Sequence, residues 1–276
     1  MAEITAAMVK SLRDKTQLPM MECKKALQKT EGDEAAAIEE LRKAGKKTMG
    51  KRADRETAEG LVAVYASVDD GAGAILELQC ESGPVAKHEE FVQLAKDLTQ
   101  ALATGPGADS ADALLEQPSP SDPKTTLRDQ FDDLTNRMRE VFRVARMERI
   151  AAPAGGYSHH TGTVGAIVEV EGGNQQAAND VSMHVAAQNP AAVAKEDLDA
   201  DAIAKEREIL REAALKEGKP ENIVDKMVDG RMRNFFAERV LTEQPFIKEE
   251  SQSVGKYAKD AGMKIKRFIR WELGKE

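Results

Sequence analysis

Two runs of β-forming residues, separated by a tight-turn sequence, constrain most strongly what this chain can fold into. They are GLVAVYASV at 60–68 and AGAILELQC at 72–80, and the three residues between them are DDG. Asp-Gly between two such runs is a strong signal for a β-hairpin. Helical patterns precede and follow the hairpin and do not alternate with single strands, as βαβ units would. The sequence therefore predicts an α+β fold, with hairpins and helices in separate segments.

The first 45 residues are predicted to form a small module of three helices. The second helix restarts at QLPMMECKKAL, where Pro19 is tolerated in the first turn. The third lies in EGDEAAAIEELRKAG, where Asp33 is a good N-cap and Gly45 fits the C-terminal stop. Because so short a module buries only a small core, apolar side chains in the turn at 18–21 are expected to be partly exposed.

A first core subdomain is predicted over 59–140, after a charged segment at 46–58 that is either a linker or a solvated helix. A helix is predicted from Val85 to Ala103, because apolar residues recur there on one face. The Gly-, Pro- and Ser-rich stretch at 104–123 is interpreted as a surface excursion with at most one short helix. A further helix then leads to the end of the subdomain.

A second core subdomain is predicted over 141–276, with a helical hairpin inserted at about 190–228. Two amphipathic helices meet at Gly218-Lys219-Pro220, and Ile203 and Leu210 are spaced for a short coiled-coil seam. The other elements are predicted from periodicity and turn residues. In chain order they are a strand in VFRVARMERI, a strand at 161–173, a helix at about 175–188, a helix near 253–261 and a strand in MKIKRFIRWELG.

Composition excludes several classes of function. The net charge of −8 argues against a nucleic-acid-binding protein, because phosphate contacts need clustered Lys and Arg. No apolar run approaches the roughly 20 residues that a membrane-spanning helix needs. The N-terminus, MAEITAAMVKSLRDKT, has neither a signal-peptide nor a transit-peptide pattern. We therefore expect a cytoplasmic protein that contacts neither membrane nor nucleic acid, with Cys23 and Cys80 reduced.

Catalytic signatures are missing from the sequence. It contains no G-x-S-x-G, no P-loop, no Rossmann glycine fingerprint and no C-x-x-C pair. Cys80 and His88 could serve as nucleophile and base, but nothing supplies a third group to orient them. His159 and His160 could bind a metal, although neighbours on a strand point to opposite faces. We expect no catalytic residue, no cofactor and no metal, and a function carried out by contact with another protein.

Four stretches of sequence resemble one known family. They are MAEITAAMVKSLRDKT with MMECKKAL; VAKHEEF after a strand-end Cys; YSHHTGTVGAIVEV; and GKPENIVDKMVDGRM followed by LTEQPFI. Together they resemble bacterial translation elongation factor Ts over nearly the whole chain. The resemblance implies a ubiquitin-associated-like module at 1–45, two α+β core subdomains and a protruding helical hairpin.

The resemblance also implies a function. The family promotes guanine-nucleotide exchange on the GTPase elongation factor Tu in translation elongation. It binds the nucleotide-free state of this partner preferentially, and so it speeds GDP release without being an enzyme that makes or breaks covalent bonds. A loop that intrudes near the partner's Mg²⁺ and phosphate site loosens the grip on the nucleotide. The resemblance carries no implication for the oligomeric state of this chain.

The intruding loop of the family corresponds here to residues 82–85. The family's usual Thr-Asp-Phe-Val is replaced by Ser82, Gly83, Pro84 and Val85. The Phe that wedges into the partner is therefore missing, together with the Asp. Two interpretations stay open: the segment is only a turn in this protein, or Pro84 acts as a small, rigid apolar tip.

The resemblance assigns five other partner contacts. They are Arg13, Met20, Met21, Lys87 and His159. Met is adaptable at binding surfaces. For each of these residues except Lys87 a structural role stays open as well: a solvated Arg13, a core packing role for one Met, and a loop role for His159.

Two alternatives to an exchange factor remain at this level. One is an enzyme that uses Cys80 or His159. The other is a homologue that docks on elongation factor Tu but, without the Phe, accelerates release only weakly. Intact exchange after replacement of both Cys80 and His159 would remove the first alternative, and fluorescent-GDP release kinetics would test the second.

Overall fold

The computed structural model describes residues 3–52, 54–217 and 220–275, and the predicted α+β class is confirmed. The helices are α1 Ala6–Thr16, α2 Met20–Lys29, α3 Glu34–Gly50, α4 Gly83–Ala86, α5 Glu89–Thr104, α6 Ala111–Leu115, α7 Leu127–Met138, α8 Gln175–Gln188, α9 Ala200–Lys216, α10 Glu221–Arg239 and α11 Val254–Asp260. The strands are β1 Glu59–Ser67, β2 Ala72–Cys80, β3 Arg143–Ile150, β4 Ala154–Ser158, β5 Val164–Gly172, β6 Pro245–Phe246, β7 Glu249–Ser253 and β8 Met263–Glu272.

The chain divides into two compact units. The first comprises Met1–Ala63, Leu76–Glu148 and Leu273–Glu276, and the second comprises Val64–Ile75 and Arg149–Glu272. The three N-terminal helices and α4–α7 belong to the first unit. Helices α8–α11 belong to the second. Among the described residues, none of the helices has the length and apolar character that a membrane-spanning helix requires.

The predicted three-helix module is present at the N-terminus. Two of its helices, α1 and α3, begin at side-chain caps, since the Thr5 hydroxyl accepts from the Met8 N–H at 3.3 Å and the Asp33 carboxylate accepts from the Ala36 N–H at 3.0 Å. A small apolar core joins the helices, and it consists of Val9, Leu12, Leu18, Cys23, Ala26, Leu27, Ala37 and Leu41. The module therefore has the lean core that its length predicts.

The predicted end of the third helix is wrong. Gly45 does not stop α3, which continues to Gly50. A Cβ placed on Gly45 would lie 2.4 Å from the side-chain oxygen of Asn136 on α7. The glycine thus allows α3 to approach α7 closely, and a close approach leaves the same sequence signal as a helix stop.

The predicted hairpin of β1 and β2 is confirmed. Gly71 takes a positive φ of 58°, and its N–H donates to the Val68 carbonyl at 3.3 Å, which closes the turn. β2 is buried along most of its length, with Ile75, Leu76 and Leu78 fully inaccessible. It is the central strand of a three-stranded sheet in the order β1-β2-β3. A central position explains why its sequence is almost continuously apolar.

The predicted helix from Val85 to Ala103 is two helices, α4 and α5. His88 interrupts them with an extended backbone (φ −69°, ψ 135°) and caps α5, because its Nδ1 accepts from the Glu90 N–H at 3.3 Å. The apolar face expected for this segment is confirmed on α5. Its fully buried side chains are Phe91, Leu94, Leu98 and Leu102.

The second unit is built on an antiparallel sheet in the order β4-β5-β8. β4 is absent from the sequence-based prediction, because a strand that contains Gly155-Gly156 looks like a turn. A Cβ on Gly155 would lie 2.2 Å from the backbone of Ala178 in α8. Gly155 therefore permits α8 to pack directly on the strand.

The predicted helical hairpin is formed by α9 and α10, but its predicted bounds of about 190–228 are wrong, because α9 begins at Ala200 and α10 ends at Arg239. Its centre is apolar, with Ala214, Val224, Val228 and Met232 buried, and both Ile203 and Leu210 pack against them. Arg211 pairs with Asp225 at 2.5 Å, and Arg207 pairs with Asp229 at 3.1 Å, as expected for antiparallel helices. The predicted turn residues Gly218 and Lys219 lie outside the described residues.

Candidate partner-binding surfaces

The segment at 82–85, here named the α4 tip, is the start of a one-turn helix and not a simple turn. Ser82 has an extended backbone (φ −135°, ψ 147°), and its carbonyl accepts from the Ala86 N–H at 3.1 Å. Pro84 stands in the first turn, where its fixed φ suits a helix and its missing N–H costs nothing. Pro84 is exposed and Val85 is half-buried. The tip thus presents a rigid apolar ring.

The base of the α4 tip is anchored by a carboxylate. The Ser82 N–H and hydroxyl donate to the two oxygens of Glu140 at 3.1 and 2.5 Å. The Cys80 thiol donates to the Ser82 carbonyl at 3.3 Å. Hydrogen bonds to an ionised acceptor are the stronger kind, so the first residue of the tip is held firmly.

Gly83 has room for a side chain. A Cβ there would lie 3.6 Å from a carboxylate oxygen of Glu59, which is an ordinary contact distance. The family's Asp at this position would place a second carboxylate beside Glu59, and like charges at short range repel. Glycine at position 83 therefore avoids a repulsion with Glu59.

Cys80 is poorly suited to act as a nucleophile. Burial raises the pKa of its thiol to about 12, and the neighbouring Glu140 and Glu59 also raise it. The thiolate is the reactive form, so a thiol with this pKa is almost fully protonated near neutral pH. His88, its imagined base, uses Nδ1 to cap α5.

The two methionines of the N-terminal module point into solvent. Met20 is 48% exposed and Met21 is 63% exposed, at the start of α2. Leu18 and Cys23, which flank them, are buried in the module core. The alternative that one methionine packs in that core is therefore wrong. We refer to Met20 and Met21 as the α2 tip.

The two remaining contacts predicted in the first unit are also accessible. Arg13 is exposed near the end of α1. Lys87 is exposed and forms the C-cap of α4, directly after the α4 tip. Both are cationic side chains that are open to solvent.

His159 lies in the second unit, in the turn between β4 and β5. Its Nδ1 is 2.7 Å from the hydroxyl of Thr161, and its backbone N–H donates to the Val164 carbonyl at 2.8 Å. With Tyr157 and Ile247 it lines an open cavity of about 480 Å³, in which Ile247 is 40% exposed. The histidine is therefore ordered by its own turn and faces a concave apolar surface.

The strand geometry expected for His159 and His160 is wrong. β4 ends at Ser158, so both residues lie in the turn, and their ring centres are 4.1 Å apart. Within the part of the chain that the structure describes, no group of three or more His, Cys, Asp or Glu side chains is arranged to hold a metal ion.

Sequence reasoning missed the residues that hold the α4 tip in place. Glu140 follows α7 in the charged sequence NRMRE, which is typical of a solvated helix end. Its partner Ser82 is 58 positions away. Nothing in the local pattern of charges distinguishes such an anchor from an ordinary surface carboxylate.

Comparison with known proteins decides the family. The model of the family described as Elongation factor TS matches residues 81–275. This chain belongs to the elongation factor Ts family. Elongation factor Ts of Thioalkalivibrio sulfidiphilus is 40% identical over 274 residues, which is 98% of this chain and 92% of that protein. Elongation factor Ts of Acidothermus cellulolyticus is 39% identical over 283 residues, covering 99% of each chain. The resemblance to elongation factor Ts drawn from the four sequence stretches is confirmed.

Proposed function

We propose that this protein is a guanine-nucleotide exchange factor of translation elongation. It binds elongation factor Tu with GDP, perturbs the site that holds Mg²⁺ and the phosphates, and promotes GDP release so that GTP can rebind. The observation that carries the proposal is the α4 tip, an exposed apolar ring on an anchored one-turn helix. It stands at the position where the elongation factor Ts family places its intruding loop.

The mechanism requires preferential binding to one state of the partner. A protein that binds the empty GTPase more tightly than the GDP-bound form lowers the affinity for GDP by the same factor. No covalent step is needed. The protonated state of Cys80 near neutral pH agrees with this reading, because its thiol pKa is about 12.

The α4 tip supplies the intruding element. Pro84 has little conformational freedom to lose, because its ring is rigid and Ser82 is already fixed by Glu140. What it lacks is volume, since a proline ring fills less space than the family's benzyl group. A tip of this kind displaces less of the partner's phosphate site than a Phe would.

The other surfaces supply affinity. Met20 and Met21 offer flexible apolar contacts, and Arg13 and Lys87 offer cations. His159 lines an apolar concavity in the second unit. These contacts form with the partner in either nucleotide state, so they set how tightly the complex forms more than how fast GDP leaves.

A second candidate function is favoured by Pro84, which replaces the Phe of the family at the α4 tip. A homologue that docks on elongation factor Tu and accelerates release only weakly would show the same contacts. The small volume of Pro84 is the observation that favours it. Only the rate at saturation separates the two functions.

The test is stopped-flow release of a fluorescent GDP analogue from elongation factor Tu at increasing concentrations of this protein. We expect a release rate that rises and saturates well above the rate with unlabelled GDP alone. An Ile209→Ala variant is the matched control, since it removes an exposed apolar side chain of the α9–α10 hairpin that is outside the proposed contacts. Saturable binding without acceleration would establish the docking-only homologue, and no binding to the nucleotide-free partner would refute both.

A further inference from the structure

One short segment at the end of α7 contacts residues at the base of the α4 tip and residues that flank the α2 tip. It comprises Arg137, Arg139 and Glu140, here named the brace. Glu140 receives two hydrogen bonds from Ser82 at the base of the α4 tip. The two arginines contact residues on either side of the α2 tip. The brace was not predicted from the sequence.

Arg137 joins the N-terminal module to α5. Its Nη1 and Nη2 donate to the two carboxylate oxygens of Glu90 at 2.8 and 2.6 Å, and Nη1 also lies 3.3 Å from Oε1 of Gln17. Its Nε donates to Asp133 at 2.9 Å. The side chain is only 14% exposed. Bidentate pairing of this kind fixes orientation as well as distance.

The electrostatics agree with this geometry. The hydrogen bonds from Arg137 lower the pKa of Glu90, and those to Glu90 and Asp133 raise the pKa of Arg137. Glu90 stands in the first turn of α5, close after the α4 tip. The negative charge of the Glu90 carboxylate in that turn is further stabilised by the helix dipole. Arg137 therefore binds Glu90 on the side of the α4 tip and Gln17 on the side of the α2 tip.

Arg139 holds the other side of the α2 tip. Its Nη2 donates to Glu22 at 2.6 Å, and its carbonyl accepts from Nη1 of Arg52 at 2.8 Å. Arg139 ends α7 with a positive φ of 59°. Gln17 and Glu22 bracket the α2 tip in sequence, so both flanks of that tip are attached to the same end of α7.

The ion pair between Arg139 and Glu22 would be weak on its own. Arg139 and Glu22 are both 45% exposed, and exposed pairs contribute little to stability. These contacts converge, because they start from three residues within positions 137–140 and end beside both tips. Close packing of Gly45 against Asn136 adds a further contact between the module and α7.

We propose that the brace fixes the α2 tip relative to the α4 tip, and that Arg137, Arg139 and Glu140 are positioning residues for nucleotide exchange. The proposal rests on the proposed function. Two tips held at a fixed separation meet the partner together, without a further ordering cost for the second contact. Loss of the Arg137 and Arg139 contacts then leaves each tip intact but lets the N-terminal module move independently.

The first experiment measures the separation without the partner. Spin labels are attached to Lys24→Cys in α2 and Lys96→Cys in α5, both exposed positions, while the native Cys23 and Cys80 are buried. We expect a narrow distance distribution by pulsed electron paramagnetic resonance. Glu22→Arg should broaden it, because two arginines then face each other. Adding Arg139→Glu should narrow it again. Equal widths in all three proteins would overturn the proposal.

The second experiment measures GDP release with the same charge variants, without labels. Glu22→Arg should raise the half-saturating concentration about fivefold, since ordering one module costs on the order of 1 kcal/mol. The plateau rate should stay the same, and the charge-swapped double variant should recover the lower concentration. If Glu22→Arg broadens the distance distribution but leaves the half-saturating concentration unchanged, the positioning role is refuted. If the unaltered protein releases no GDP, the proposed function fails, and the spin-label widths still decide whether the brace holds the tips.

Discussion

At the residue scale, the volume of a single side chain at the α4 tip separates this protein from the usual pattern of its family. Pro84 is exposed, and its position on α4 is fixed by hydrogen bonds that do not involve its ring. Its side chain can therefore be enlarged without loss of the anchor at Ser82. The tip offers a direct test of how volume relates to the rate of exchange.

We predict that Pro84→Phe raises the plateau rate of GDP release, by about tenfold if the larger ring gains about 1.4 kcal/mol in the complex that leads to release. The matched control is Pro84→Ala, which removes volume and should lower the plateau. Adding Gly83→Asp should give little further gain, because its carboxylate would lie beside Glu59. The measurement is stopped-flow release at saturating factor. A plateau identical in all variants would mean that the tip does not reach the nucleotide site.

His184 is a second residue with a distinct physical signature. It is fully buried; its Nδ1 accepts from the Ile247 N–H at 3.2 Å, and its Nε2 lies 2.9 Å from Oε1 of Gln244. This pattern assigns the proton of the neutral ring to Nε2. A second proton would have to sit on Nδ1, against the Ile247 N–H. Burial accordingly lowers the pKa of His184 below its ordinary value of 6.5.

The sign of the resulting pH effect follows from linkage. The unfolded chain binds a proton on His184 near pH 6.5 while the folded chain does not, so stability is complete above that pH and declines as the pH falls below it. The slope cannot exceed about 1.4 kcal/mol per pH unit. Urea unfolding followed by Trp271, which lies in β8, should show this decline as the pH falls below about 6.5. His184→Gln should flatten it, whereas the exposed control His88→Gln should not.

At the element scale, predictability from sequence depends on whether the deciding contact is local. The hairpin at 60–80 and the apolar face of α5 were predicted correctly, because turn chemistry and periodicity are local properties. β4 was missed and the end of α3 was misplaced. In both cases the glycine, Gly155 or Gly45, is required by a close contact with a residue on another element. Each glycine admits a close approach from Ala178 or Asn136.

The same distinction applies to the candidate surfaces. Apolar side chains in the turn at 18–21 were predicted to be partly exposed from the small size of the module core, which is correct for Met20 and Met21 but wrong for Leu18, a buried residue of that core. The break before α5 was not predicted, because His88 acts there as a cap. The brace could not be predicted from the sequence, since Arg139 and Glu22 are 117 positions apart. A single sequence does not reveal a contact of that range.

We predict opposite effects for two glycine-to-alanine changes in the second unit. Gly155→Ala should destabilise it by about 3 kcal/mol or more, because the new methyl group would overlap the backbone of Ala178, which cannot move as a side chain can. Gly230→Ala in α10 should stabilise it by about 0.5–1 kcal/mol, because its Cβ meets nothing within 4 Å and alanine favours the helix. Urea unfolding followed by Trp271 measures both. Equal effects would mean that close packing at Gly155 is unimportant.

At the scale of the whole molecule, the contacts fall into two classes of kinetic effect. Under the proposed function the α4 tip acts at the nucleotide site of the partner, so changes to the tip should alter the plateau rate of GDP release. Under the same proposal the α2 tip, Arg13 and His159 contribute to binding in either nucleotide state, so changes there should alter the half-saturating concentration. The brace links the two classes in the first unit, because its residues contact the supports of both tips.

The decisive comparison is therefore between the two tips. We predict that Met20→Ala with Met21→Ala raises the half-saturating concentration roughly thirtyfold, corresponding to about 2 kcal/mol of lost apolar burial, while the plateau rate of GDP release stays unchanged. Both side chains are exposed in the free protein, so the change should leave its unfolding curve unaltered. Ile209→Ala, which removes an equally exposed apolar side chain from α9, should change neither parameter. A fall in the plateau with the methionine variant would show that the α2 tip takes part in expelling the nucleotide, and the separation of affinity from exchange would then be wrong.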